Sequence, residues 1–223
     1  MCDNEFKIKT VKTGKPHLIG SDPDLRPKYQ GIDSVKYDVI VCPHCGYGAL
    51  SRFFSYMTTH QAKLIHDNIS TNFKGLAPTG DTYTYDDAIT RYKLALLNTV
   101  VKKAKVSERA YTCLKLAWLY RGKAENLKPD EADYAKKKEE CAKAEKEMLA
   151  NAYEGFMMSV SKENFPICGM DETTLDYLMA NLAKQIGRID EASRIVSRIL
   201  VSKTANPKIK DKARDLKESL KTK

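Results

Sequence analysis

Long apolar runs are missing from this chain of 223 residues, and no stretch approaches the roughly 20 consecutive apolar residues that a membrane-spanning helix needs. A leading apolar region of the secretory kind is missing too, which makes the cytoplasm the expected location and keeps thiols reduced. Recognisable catalytic signatures are also lacking. There is no His-Glu-x-x-His, no phosphate-binding glycine loop and no nucleophile motif, so a non-catalytic protein is expected. Histidine is scarce, and the four present, His17, His44, His60 and His66, read as surface or packing residues. His60 and His66 are not spaced to share a helical face as an i, i+4 pair would. With 42% apolar and 30% charged residues, the composition is that of a soluble globular protein.

The segment whose residue types and spacing imply chemistry beyond packing is Val41-Cys42-Pro43-His44-Cys45-Gly46-Tyr47-Gly48. A gap of two residues lets two thiolates on one tight turn reach a single tetrahedral ion, each at about 2.3 Å. Pro43 fixes one torsion of that turn, and Gly46 permits a positive φ just after the second sulfur. A structural zinc takes four ligands, and the remaining cysteine ahead of the helical region is Cys2. Met1-Cys2-Asp3-Asn4-Glu5-Phe6 reads as the second half of another knuckle, whose first cysteine would precede Met1. The expected zinc ligands are Cys2, Cys42 and Cys45, with water, a nearby His or Asp, or the Cys2 amine after loss of Met1 as candidates for a fourth. Cys113 and Cys141 read as buried helix residues, and Cys168 falls in a turn.

The run from Cys2-Asp-Asn-Glu-Phe through Ser21-Asp22-Pro23-Asp24, Tyr29-Gln30-Gly31-Ile32-Asp33 and Tyr37-Asp38-Val39-Ile40-Val41-Cys42-Pro43-His44-Cys45 resembles the bacterial family grouped as domain of unknown function 2225. That resemblance implies two Cys-x-x-Cys pairs in a zinc-ribbon-like head, followed by a helical region like tetratricopeptide repeats. It implies no activity. The chain departs from the family pattern in lacking the first cysteine.

Residues 6–12 alternate apolar and basic in the manner of a half-buried strand, residues 17–35 read as loop, and residues 36–42 form a second extended run. From Thr58 the period becomes helical. Helices are expected over about 58–73 with a threonine cap, 85–105, 107–122 with Ser107 as cap and Gly122 as terminator, and 129–160 opened by Pro129. A further pair follows, with Asp171 as cap of the first and Gly187 at the turn, and then a basic helix from about Ile209 to Leu220. The expected fold is mainly α: a zinc-ribbon-like β head over residues 1–57, then over 58–223 an antiparallel helical array resembling tetratricopeptide repeats.

The net charge of +9 is concentrated in two stretches. Residues 100–123 carry seven Lys/Arg against one acid, and residues 203–223 carry eight against three. Solvated helix faces explain both, although basic faces also suit a polyanion. The leading functional expectation is therefore a metal-binding interaction module whose helical body takes a protein or peptide partner. Nucleic-acid binding through the ribbon and basic faces is the alternative, and a zinc-dependent hydrolase, with Asp22, Asp24 or Asp33 as base, ranks last.

Overall fold

The computed structural model describes residues 1–12 and 14–221, in which two short antiparallel β-ribbons precede seven α-helices. Lys223, counted above in the basic tail, lies outside the described residues. The protein is mainly helical with a small N-terminal β head, as the sequence suggests.

The head departs from expectation in its details. β1 (His17–Ser21) pairs with β2 (Pro27–Gln30), matching Leu18 to Tyr29, inside the segment that reads as loop. Asp22-Pro23-Asp24 is the turn of this hairpin, closed by Asp22 N–H on the Arg26 carbonyl at 2.8 Å. Every residue of β1 is exposed, so the strand carries no alternation of apolar and polar positions to betray it. The alternating residues 6–12 take no regular structure, apart from any partner strand. Phe6 meets Phe54 edge-on at 6.3 Å, and the Lys9 ammonium donates to Thr79 Oγ1 at 2.8 Å. The alternation there reflects a chain lying along other elements.

The second ribbon joins β3 (Val39–Val41) to β4 (Gly48–Leu50), with Val41 opposite Gly48. Only part of the expected run 36–42 is extended, because Ser34–Tyr37 forms a 3-10 turn whose Val35 N–H donates to the Asp33 carboxylate at 3.0 Å.

The helices are α1 (Thr59–Asn68), α2 (Tyr85–Val101), α3 (Val106–Asn126), α4 (Tyr134–Lys162), α5 (Glu172–Gln185), α6 (Ile189–Val201) and α7 (Pro207–Lys221). Thr58 caps α1 in a reciprocal box with Gln61, Thr84 does the same for α2 with Asp87, and Asp171 caps α5 through Thr174 N–H. Five expected boundaries shift. α1 ends at Asn68 rather than near Phe73, with a separate 3-10 turn at Ser70–Asn72 after it. α2 stops at Val101, because Lys103 turns left-handed at φ +51°. α3 begins before Ser107, whose N–H and hydroxyl instead donate to the Glu163 carboxylate at 2.9 and 2.6 Å. Gly122 does not end α3. A Cβ there would lie 2.6 Å from Tyr85 Cε1, so the glycine makes room for a ring within a continuous helix. Finally, α4 starts at Tyr134, five residues beyond Pro129.

The core forms around α3, whose buried residues Ala110, Cys113, Leu114, Leu116, Ala117, Trp118 and Leu119 follow one another closely enough to point to all sides. A helix with apolar residues around most of its circumference takes neighbours on most sides. α2 and α4 pack on it, with Gly155 of α4 so close to Ala110 that a Cβ would approach the alanine methyl to 2.7 Å. α5, α6 and α7 continue the succession, α6 burying Ala192, Ile195, Val196 and Ile199 along one face. Val35, Val39, Val41 and Leu50 of the head share this same apolar cluster. Their burial fixes the ribbon that carries the sulfurs.

Candidate metal centre

The β3–β4 hairpin delivers the cysteine turn. Cys42 N–H donates to the Tyr47 carbonyl at 2.8 Å and Gly46 N–H to the Cys42 carbonyl at 3.1 Å, which folds both thiols to one side. Gly46 has φ +72°, and a Cβ there would strike the Phe73 ring at 2.7 Å. Conformation and space both require glycine at this position. Its carbonyl accepts from the buried Asn98 amide of α2 at 3.0 Å, and Gly48 lies against the Ala95 backbone. The turn is thus seated on α2.

Cys2 reaches the turn from the N-terminal segment. Its Sγ lies 3.7 Å from Cys42 Sγ, and the three sulfurs of Cys2, Cys42 and Cys45 all fall within 4.8 Å of one another. Thiolates at about 2.3 Å from a tetrahedral ion stand about 3.8 Å apart along an edge, whereas a disulfide would bring them to about 2 Å. All three are free, and the group could hold a metal ion. Cys42 and Cys45 are buried among Tyr47, Ala49, Ile65 and Ile69, with Phe6, Phe54 and Met57 around them. Burial pushes the Cys45 thiol up to about 12, while the Asn4 backbone N–H holds the Cys2 thiol below its ordinary value. A cation among the sulfurs would stabilise the thiolates against this desolvation.

The three expected ligands are therefore brought together. The four histidines are exposed, and among the described residues none joins the group. Cys113 and Cys141 are buried in α3 and α4 as expected, and the Cys168 thiol donates to the Ser107 carbonyl at 3.4 Å.

A second polar cluster was not anticipated. Asp24 is fully buried and accepts from Arg121 Nη2 at 2.6 Å, Trp118 Nε1 at 3.3 Å and Gln185 Nε2 at 3.3 Å. Arg121 also donates to Asp22 at 3.1 Å and to Glu145 at 2.7 Å. The β1–β2 turn is thereby tied to α3, α4 and α5. Asp22 and Asp24, expected at most as candidate bases, are structural anions here. Partners so distant in sequence leave no local pattern. The same holds in the basic stretch 100–123 for Lys115, Arg121 and Lys123, ion-paired to Asp38, Asp24 and Asp86, while Lys102 pairs with Glu108 inside the stretch.

A family model described as an uncharacterized protein conserved in bacteria, DUF2225, matches residues 1–220. The chain belongs to that family. The match spans both the ribbons and the helices, so the DUF2225 chain is one continuous match from the cysteine cluster to α7. Searches of curated proteins and of solved structures returned no match. No helix among the described residues is long and apolar enough to cross a membrane.

Proposed function

We propose that this DUF2225 chain is a non-catalytic interaction module in which Cys2, Cys42 and Cys45 hold a structural Zn2+ and the helical body takes a protein or peptide partner. The observation carrying the metal assignment is the convergence of three free sulfurs within 4.8 Å of one another, with Cys2 and Cys42 at 3.7 Å. An all-sulfur ligand set in a tight turn suits zinc and other thiophilic ions, and excludes magnesium or calcium as occupants. When bound, the ion crosslinks the N-terminal segment to the β3–β4 hairpin and so lends folding energy to a head too small to supply its own core. The helical succession from α2 to α7, which includes the α5–α6 hairpin closed at Gly187, supports partner binding of the kind stacked helical pairs provide. A nucleic-acid role draws less support, since four of the seven cations in residues 100–123 are engaged with acids.

The test is elemental analysis of the untagged chain beside a Cys42→Ser/Cys45→Ser variant. About one zinc per chain, lost in the variant together with a lower melting temperature, is the expected result. Wild-type protein that binds no zinc on reconstitution under reducing conditions would overturn the assignment.

A further inference from the structure

A continuous groove crosses the face where the segment after β4 meets the α2–α3 turn and the end of α4. It comprises two adjoining depressions of about 730 and 860 Å³, which share Arg52, Phe53, Gln61 and Lys105. Lys103 and Lys162 complete a row of four cations along it. Among the described residues, none of the four has a carboxylate within ion-pair distance. The nearby acids are occupied: Glu163 accepts from Ser107, and Glu108 pairs with the buried Lys102 at 2.7 Å.

Lys103 adds an independent sign. α2 ends with Ala104 N–H on the Thr99 carbonyl at 2.9 Å and Lys103 N–H on Val100 at 3.1 Å, the paired closure that glycine normally serves at the left-handed position. α5 closes in the same way with Gly187 in that place, at φ +89°. At the end of α2 a lysine occupies it, exposed and at φ +51°, a conformation that disfavours any residue with a Cβ. Asp3, Leu25 and Asp133 share this conformation elsewhere and Cys168 shares it within the groove, so at Lys103 the strain supports the groove reading only beside its charge.

We infer that the groove binds an acidic peptide segment carrying apolar side chains, an assignment that deepens the interaction-module reading and rests on it. The cations attract carboxylates, while Phe53, Met57 and the 76%-exposed Tyr56 offer an apolar shelf. The cysteine turn holds one wall of the groove in place. Tyr47, two residues after Cys45, donates its hydroxyl to the Phe54 carbonyl at 2.9 Å and packs on the Phe54 ring at 4.8 Å.

The probe is a fluorescein-labelled dodecapeptide of glutamates interleaved with leucine and phenylalanine, titrated by anisotropy into the zinc-loaded full chain. An oligouridylate of similar charge serves as the competing ligand class. Expected are saturable peptide binding that weakens with salt, at least tenfold weaker binding for Lys103→Glu/Lys105→Glu, and no change for Lys208→Glu on α7. Lys103→Gly is the sharper variant: it should raise the melting temperature and still weaken the peptide at least threefold. Peptide binding unchanged by Lys103→Gly and by the double variant, absence of peptide binding, or tighter binding of the oligouridylate would each overturn the inference. Zinc content measured on the same samples separates the two readings, since a zinc-loaded chain that ignores the peptide sinks the groove alone.

Discussion

Two joints fasten the β head to the helices, and they are chemically opposite. At one, the cysteine turn sits in apolar surroundings against α2, its shape set by Gly46 and Gly48 and its sulfurs spaced for an ion. At the other, the β1–β2 turn sinks Asp24 onto Arg121, with Asp22, Glu145, Trp118 and Gln185 around them. The first joint rests on apolar burial and the Asn98–Gly46 hydrogen bond and could also hold an ion, whereas the second carries its own counter-charges. A head too small to build a core of its own is thus held by crosslinks of two kinds.

The comparison breaks most directly at Asp24. Asp24→Asn should cost about 3 kcal/mol, as removing one partner of a buried ion pair does, because Arg121 keeps its burial and loses its closest anion. Urea unfolding would measure this, and zinc content should be unchanged. A loss of zinc in that variant would mean that the two joints act as one.

A smaller effect is expected where α2 meets the head between the joints. The Tyr92 hydroxyl, wholly buried, donates to the Val35 carbonyl at 2.7 Å. Tyr92→Phe leaves that carbonyl without this donor and should cost about 1–2 kcal/mol by the same unfolding measurement.

The smallest expected effect is pH dependence at the charged joint. Burial works against the Asp22 carboxylate, but hydrogen bonds and charge from Lys28 and Arg121 outweigh it and hold its pKa below 3.8. A group depressed by folding contributes fully above its unfolded pKa and loses that contribution as pH falls through the folded value. Metal-free protein should therefore lose stability as pH drops below about 4, and Asp22→Asn should flatten that slope. An unaltered slope in the variant would show that Asp22 contributes nothing to the acid response.

These joints differ equally in what the sequence discloses. Cys42 and Cys45 are separated by two residues with a glycine directly after, so geometry and chemistry are written in one short segment, and Cys2 could be added from its flanking residues. Arg121 lies 97 positions from Asp24 and Gln185 lies 161 positions away, so only folding puts them together. The helical body was legible because its apolar periodicity and caps at Thr58 and Asp171 are local. The ribbon at 17–30 was not, since an exposed strand has no patterned face. Gly122 misled for a related reason: the ring that needs its missing side chain belongs to Tyr85 on another helix. The cations of residues 100–123 suggest a basic face, yet the acids that pair with Lys115, Arg121 and Lys123 come from the head and from α2.

One feature of the first ribbon bears on how copies of this chain meet one another. A two-stranded sheet has no interior strand, and β1 displays Leu18 and Ile19 at 65% and 66% exposure, the makings of a sticky border. The register slips between Leu18 and Gly20, where the glycine lies at φ +155°. Such an irregularity twists the border and interrupts the straight row of donors and acceptors that an incoming strand would have to match. Neighbouring molecules thus find two greasy side chains at this rim but only a broken ladder to climb.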